Sequence, residues 1–249
     1  MKYQIISDIH ANVPALEACL AHAEKDVTLL HLGDLVGYGP NPNEIVEMLL
    51  DTPGVVGNHD KAAIGEMDIR YFNDEAALGT IWTKNALTQK SIDYLKKLPY
   101  TTIIPDSQGH FTLSHGSPSE PHKYHYIQYE EDAWEAFNNF ETQVCFMGHS
   151  HFPESYSYKN DEIIQQKHGL ELQPHEDILH LKKDTRYLIN VGSIGQPRDR
   201  NPKASYAIFD TDKMTVTWHR VSYDIPSVQK AILATSLPES NAKRLPLGR

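Results

Sequence analysis

Five short polar motifs carry the residue types from which chemistry can be built: Asp8-Ile9-His10, Gly33-Asp34, Gly57-Asn58-His59-Asp60, His115-Gly116 and Gly148-His149-Ser150-His151. Together they supply carboxylate oxygens, an amide oxygen and imidazole nitrogens, which is the donor set that a pair of first-row transition-metal ions takes. Asp-x-His and His-x-His put both side chains on one side of an extended segment, because residues two apart share a face. Glycines beside them let the backbone turn sharply and leave room next to an ion. Taken singly, most of these motifs say little. Asp-x-His can cap a helix, and Gly-Asp or Gly-Asn-His-Asp can be a turn. Their order, with each motif closing an apolar run, is what makes the set specific.

The elements that must position them follow from periodicity. Short apolar strands are expected at Tyr3 to Ser7, Val27 to Leu32 and Val55-Val56. Helices are expected from Asn12, as cap with Pro14 in the first turn, through Ala23, and at Asn43 to Leu50. This β-α-β-α-β order predicts a parallel sheet with helices on its faces. In an open α/β sheet the loops beyond the carboxyl ends of the strands face one crevice. Asp8, His10, Asp34, Asn58, His59, His115, His149 and His151 are therefore expected to converge. Further helices are expected at Asp74 to Leu87, Thr88 to Leu98 and Glu130 to Phe140, and strands at Thr101 to Ile104, His110 to Ser114 and Val144 to Met147. Six short strand candidates between Tyr156 and Trp218 predict a second, largely antiparallel sheet packed on the first. A helix is expected at Pro226 to Thr235, with a loose basic tail after Pro238. Nothing marks a linker, so residues 1–249 are expected to form a single domain.

Composition bounds the function. The chain is 40% hydrophobic and 22% charged, near the average for globular proteins. A formal charge of -10 argues against a nucleic-acid polymer as partner, but not against a small phosphorylated substrate, since bound cations reverse the field inside one cleft. The polar N-terminus lacks a signal-peptide core, and no run approaches a membrane span, so a cytoplasmic protein with no membrane partner is expected. Cys19 and Cys145 read as ordinary buried thiols. The 14 histidines are an unusual share. His22, His31, His110, His168, His175, His180 and His219 lie outside the motifs and receive no role.

With those residues assembled, the sequence resembles the calcineurin-like metallophosphoesterases. The resemblance rests on the five motifs and extends to Gly33–Pro40 and Gly192–Asp199, two stretches similar to the small bacterial and archaeal branch. It implies a four-layer α/β/β/α sandwich of two mixed sheets flanked by helices. It implies one metal held by Asp8, His10 and His151, a second by Asn58, His115 and His149, and Asp34 bridging both. His59 matches the catalytic histidine, which does not ligate metal. Manganese or iron is the favoured metal, with zinc or nickel also compatible with the donors. Two cations about 3.5–4 Å apart make hydroxide available at neutral pH for in-line attack on phosphorus. The ions and His59 would neutralise charge growing on the phosphoryl oxygens, and a protonated His59 could pass a proton to the leaving oxygen.

The sequence also departs from one branch of that family. Protein Ser/Thr phosphatases of this superfamily carry Gly-Asp-x-Val-Asp-Arg-Gly, whereas here Gly37 stands in place of the second Asp and Tyr38 in place of the Arg. That favours a small phosphodiester or nucleotide-like substrate, such as a dinucleoside polyphosphate or cyclic nucleotide, over a phosphoprotein or simple phosphomonoester. A non-catalytic scaffold of the same fold is the third reading, and the presence of His59 with every ligand type argues against it. Arg198, in a Gly/Pro-rich loop, is expected to contact substrate phosphate. Asn12 is a second substrate-contact candidate as well as a helix cap, and Asn190 is a further one. The stretch Pro118 to Tyr129, with its histidines and tyrosines, either overhangs the site and stacks a base or packs as a surface loop.

Overall fold

The computed structural model describes residues 1–169 and 177–249; His175 lies outside the described residues. The first part of the chain forms β1 (Lys2–Ile6), α1 (Val13–His22), β2 (Thr28–His31), α2 (Pro42–Leu49), α3 (Asn58–Ala63), α4 (Asp74–Ala86) and α5 (Gln89–Lys97). Then come β3 (Thr101–Ile104), β4 (Phe111–Ser114), α6 (Glu130–Phe137) and β5 (Val144–Met147). The last part holds β6 (Pro153–Lys159), β7 (Glu162–Lys167), β8 (Asp177–His180), β9 (Arg186–Val191), β10 (Ala204–Asp210), β11 (Thr215–Val221), α7 (Ile225–Leu233) and α8 (Glu239–Arg244). As expected, Asn12 caps α1, its side chain accepting from the backbone N–H of Ala15, with Pro14 in the first turn.

Two mixed sheets result, ordered β2-β1-β10-β11-β8 and β3-β4-β5-β9-β6-β7. Their facing sides bury Tyr3, Ile5, Phe111, Phe146, Ile189, Phe209 and Trp218 in one core. There the ring of Phe111 meets those of Phe146 and Phe209 edge-on at 5.7 and 5.3 Å. Strand alternation sends Ile6 and Ile208 to the outer face of the first sheet, where Leu16 of α1 and Ile45 and Leu49 of α2 cover them. On the outer face of the second sheet, Cys145, Tyr156 and Leu188 pack under Ala133, Ala136 and Phe137 of α6. The order helix, sheet, sheet, helix is the four-layer α/β sandwich that the resemblance implied.

Three local expectations differ. Val55-Val56 forms no strand; one parallel bridge joins His31 to Gly54, and the chain turns at once into α3, which periodicity did not show. The later strands do not make a sheet of their own. β8, β10 and β11 extend the first sheet, with β10 antiparallel to β1, while β6, β7 and β9 extend the second. Alternation tells which face a residue takes but not which strand lies beside it. The basic tail is ordered as α8 and a following turn: Ala242 and Leu245 pack with Val228, Ile232 and Leu237, and Asn241 Nδ2 donates to the Tyr38 carbonyl at 2.9 Å. Its buried residues are spaced among charged ones that hide the apolar face. No helix of the described residues is long and apolar enough to cross a membrane.

Candidate metal centre and active site

The carboxyl ends of β1, β2, β4 and β5 open at one end of the molecule, and the loops beyond them bond to one another. The backbone N–H of Asp8 donates to the Gly33 carbonyl at 3.1 Å, that of His10 to Asp34 at 3.0 Å, and that of Gly148 to His115 at 2.9 Å. Asp8, His10, Asp34, His149 and His151 all adopt positive φ, between 47° and 67°. Each such non-glycine residue costs about 1–3 kcal/mol, a strain that persists only where the surroundings over-determine it. Gly148 is required by close approach, since a Cβ there would run into the Ser7 hydroxyl and the Asp8 carboxylate.

The side chains gather into two buried groups, Asp8–His10–His151 and Asp34–His115–His149, with the donor atoms of each within 4.8 Å of one another. His151 Nε2 lies 3.2 Å from Asp8 Oδ1. His115 Nε2 lies 3.2 Å from Asp34 Oδ2 and 3.2 Å from Asn58 Oδ1. The same Asp34 oxygen is 3.8 Å from His10 Nε2 in the other group. Asp34 thus stands between the groups, and its other oxygen accepts the His59 backbone N–H at 2.9 Å. Asp8 is held likewise: Oδ2 accepts from the Ser7 hydroxyl at 2.7 Å and the His149 backbone N–H at 3.0 Å, leaving buried Oδ1 with no hydrogen bond.

The hydrogen bonding of the rings shows that the donors suit cations. Nδ1 of His10 faces the Val36 carbonyl, Nδ1 of His151 the Gln196 carbonyl and Nδ1 of His115 the Leu32 carbonyl. A carbonyl only accepts, so each Nδ1 carries a proton, and the rings of His10 and His151, which burial keeps neutral, turn bare Nε2 lone pairs inward. His10 and His151 then present two lone pairs 3.2 Å apart, an arrangement that needs a positive charge between or beside them. His149 Nε2 is likewise buried without a partner. Burial pushes its pKa down to about 3, and the His115 charge adds to this against Asp34 and Asp8. Burial would lower His115 as well, but Asp34 and Asp8 outweigh it and raise it to about 9. Burial would raise Asp34, yet His115 and His59 hold it well below the usual carboxylate range. The pull of Asp34 and Asp8 toward a proton on His115 marks this group as one that favours positive charge.

A cavity of about 270 Å³ opens over this floor, lined by Asp34, Asn58, His59, His149 and His151 below and by Tyr38, Arg198, Phe72, Tyr124 and Tyr126 around it. His59 is wedged among the rings of Tyr38, Phe72 and His10 at 4.6 to 5.0 Å. Burial, opposed by Asp34 and reinforced by Arg198, pushes its pKa down to about 4. At neutral pH the ring is therefore neutral and offers one N–H, and its buried Nδ1 has no partner. A protonated His59 is not the resting state. Tyr126 lies flat against the His149 ring, 4.0 Å between centroids and 18° between planes.

Residues 1–214 match the calcineurin-like phosphoesterase superfamily domain. The chain belongs to that superfamily. It is a hydrolase of phosphate esters from a metal-dependent family, and its two triads are candidate metal sites. The uncharacterized protein MJ0912 of Methanocaldococcus jannaschii is 37% identical over 251 residues, spanning 98% of this chain and 97% of its own. A metallophosphoesterase of Sphaerobacter thermophilus of known crystal structure is 38% identical, with a TM-score of 0.85 over 100% of this chain and 99% of its own. The hypothetical protein PH1004 of Pyrococcus horikoshii, 20% identical, shares the fold with a TM-score of 0.78 over 100% of this chain and 98% of its own.

In this phosphoesterase the structure brings together all eight motif residues expected to converge. Arg198 lines the same cavity. Asn12 does not: its Oδ1 is the α1 cap and its Nδ2 donates to the Gly195 carbonyl at 3.0 Å, so both ends of the amide are taken by backbone. Asn190 is similarly occupied, donating to the Gly148 carbonyl and the Ser150 hydroxyl and accepting from Gly192. It positions the Gly148–His151 loop. Asp60 caps α3 and ties it to the second loop, its carboxylate accepting from the backbone N–H of Gly57 at 3.0 Å and of Val36 at 3.1 Å. The Pro118–Tyr129 stretch overhangs the site through Lys123, Tyr124 and Tyr126. Phe72 and Met67 were not anticipated; they sit between helices, outside any strand-end motif.

Proposed function

We propose that this chain is a dinuclear phosphoesterase acting on a small phosphodiester or nucleotide-like substrate, with manganese or iron as the favoured metal. The observation that carries this reading is the pair of buried donor groups sharing Asp34 on the floor of one cavity, with His59 and Arg198 on its wall. Asp8, His10 and His151 would hold one ion, Asn58, His115 and His149 the other, and Asp34 both. When bound, the ions supply a water-derived nucleophile at neutral pH and positive charge at the phosphoryl oxygens. The remaining work falls to the chain. Neutral His59 donates its N–H to a phosphoryl or leaving oxygen, where charge grows in the transition state. Arg198 grips a non-bridging oxygen through its fork of donors. Tyr124 and Tyr126 narrow the entrance, which favours a small molecule over the side chain of a folded phosphoprotein. Tyr38, packed against His59, occupies the position at which a protein phosphatase has its phosphate-gripping Arg.

The test is metal-reconstituted protein assayed on an aryl phosphodiester, an aryl phosphomonoester, 2′,3′- and 3′,5′-cyclic nucleotides, diadenosine tetraphosphate and a phosphopeptide. Metal-dependent turnover concentrated on the diesters or dinucleotide is expected. A preference for the phosphopeptide or phosphomonoester would replace this reading, and no turnover with any metal would reject it.

A further inference from the structure

Two half-buried guanidinium groups flank Tyr38 of the cavity wall without an anionic partner, Arg198 lining the cavity itself and Arg244 beside it. Arg198 bonds only neutral acceptors, Gln196 Oε1 at 3.0 Å and the Tyr38 hydroxyl at 3.4 Å. Arg244, from α8 in the C-terminal segment, makes no side-chain hydrogen bond or ion pair among the described residues. Its guanidinium sits over the Tyr38 ring 5.9 Å from the centroid, and that of Arg198 sits 5.8 Å from the same centroid. Other partly buried arginines of the chain are satisfied: Arg220 pairs with Asp199, and Arg186 caps the carbonyls of Phe137, Phe140 and Thr142. Asp199, next in sequence to Arg198, is turned away to Arg220. Glu75, at the start of α4, acts on Arg244 across space but forms no ion pair with it. Lys123, the other cation lining the cavity, already has Glu120 at 2.7 Å.

Two like charges held against one ring repel, and burying them without counter-ions is costly. The surrounding structure nonetheless fixes Arg244 there: Asn241 ties α8 to the Tyr38 carbonyl, and Leu245, next after Arg244, packs with Val228 and Ile232 of α7. A planar fork of donors suits phosphate oxygens, and two forks suit a group with more oxygens than one phosphoryl offers. We propose that Arg198 and Arg244 form a subsite for a second anionic group, so that the preferred substrate carries two linked phosphates, with one phosphorus over Asp34 and the next beside Tyr38. This rests on the phosphoesterase reading above and narrows it to phosphoanhydride-containing nucleotides.

The experiment is calorimetric titration of metal-loaded protein with methylenediphosphonate, a non-hydrolysable two-phosphorus probe, and with methylphosphonate, its one-phosphorus counterpart. R244Q is expected to weaken the diphosphonate at least tenfold and the monophosphonate less than threefold, with R244K in between. E75Q removes the acid that competes for Arg244 and is expected to tighten the diphosphonate about twofold, a change that misfolding cannot mimic. Equal loss for both probes in R244Q, or no loss for either, would overturn the subsite. Because binding is read without turnover, a protein that hydrolyses no ester yet shows the Arg244-dependent difference would retain the subsite while losing the proposed reaction.

Discussion

At the scale of single residues, His59 and the donor set make separable predictions. The His59 side chain makes no hydrogen bond to a candidate ligand: its ring lies edge-on to that of His10 at 5.0 Å, and its backbone N–H donates to Asp34. His59→Ala is therefore expected to lower kcat by about 10²–10⁴-fold, the usual worth of a positioned proton donor, while metal content by elemental analysis stays the same. Unchanged turnover would remove His59 from the mechanism. His151→Ala should behave differently, because His151 faces both Asp8 and His10. Its loss is expected to empty one of the two proposed sites, halving bound metal and abolishing turnover. Retention of both ions would show that the donor group is assigned wrongly. These residues were legible because ligands must sit where strands end, and the strands are short apolar runs that stand out in the sequence. Arg244 was not legible, since nothing in a C-terminal helix says that it will pack beside the Tyr38 loop. For Pro118–Tyr129 the sequence left two readings open, because a loop of mixed histidines and tyrosines suits either an overhang or a packed surface.

At the scale of elements, the loop after β2 shows how backbone conformation replaces a side chain. Gly37 stands where the related protein phosphatases carry an acid, and its φ of +93° is one that L side chains rarely adopt. A Cβ there would come within 2.8 Å of His59 Nδ1. The loop is pinned further by Asp60 of α3 through Val36 and by Asn241 of α8 through Tyr38. Gly37→Ala is expected to cost about 1–3 kcal/mol of stability from strain at positive φ, and to lower kcat by displacing the His59 ring. A thermal melt and a turnover assay on the same preparation check both, and a variant as stable and active as the parent would refute the account. This level was half legible. Capping by Asn12 and the helix at Pro42–Leu49 follow from local rules, whereas α3 does not, because its residues are the motif itself and carry no apolar stripe. Strand partnership was beyond reach for a different reason. β1 pairs with β10 across some two hundred residues, and alternation within either strand is the same whichever neighbour it takes.

At the scale of the whole molecule, a polar group buried on the outer face of the second sheet sets how stability varies with pH. Glu154, in β6 between the site loop and the edge strand β7, is 5% exposed. Its carboxylate accepts from Gln165 Nε2 at 3.0 Å. Burial raises its pKa from 4.5 to about 6, against the lowering effect of the Gln165 and Tyr156 contacts and of Lys167. The direction of the linkage follows. Below 4.5 the group is protonated in both folded and unfolded chains and contributes nothing. As pH rises from 4.5 to 6 the unfolded chain loses the proton first, so folding is penalised, and above 6 the full penalty of about 2 kcal/mol remains. Glu154→Gln keeps an acceptor for Gln165 and never ionises. Its melting temperature should exceed that of the parent by roughly 4–8 °C at pH 8, as expected for a chain of this size, and match it at pH 4. The comparison belongs to metal-loaded protein at both pH values with bound metal measured, since Glu154 lies three residues from His151 and a change in occupancy would shift both melts. A variant that is less stable at pH 8 would mean that Glu154 is held ionised by its neighbours and that the edge of the second sheet is stabilised by that charge.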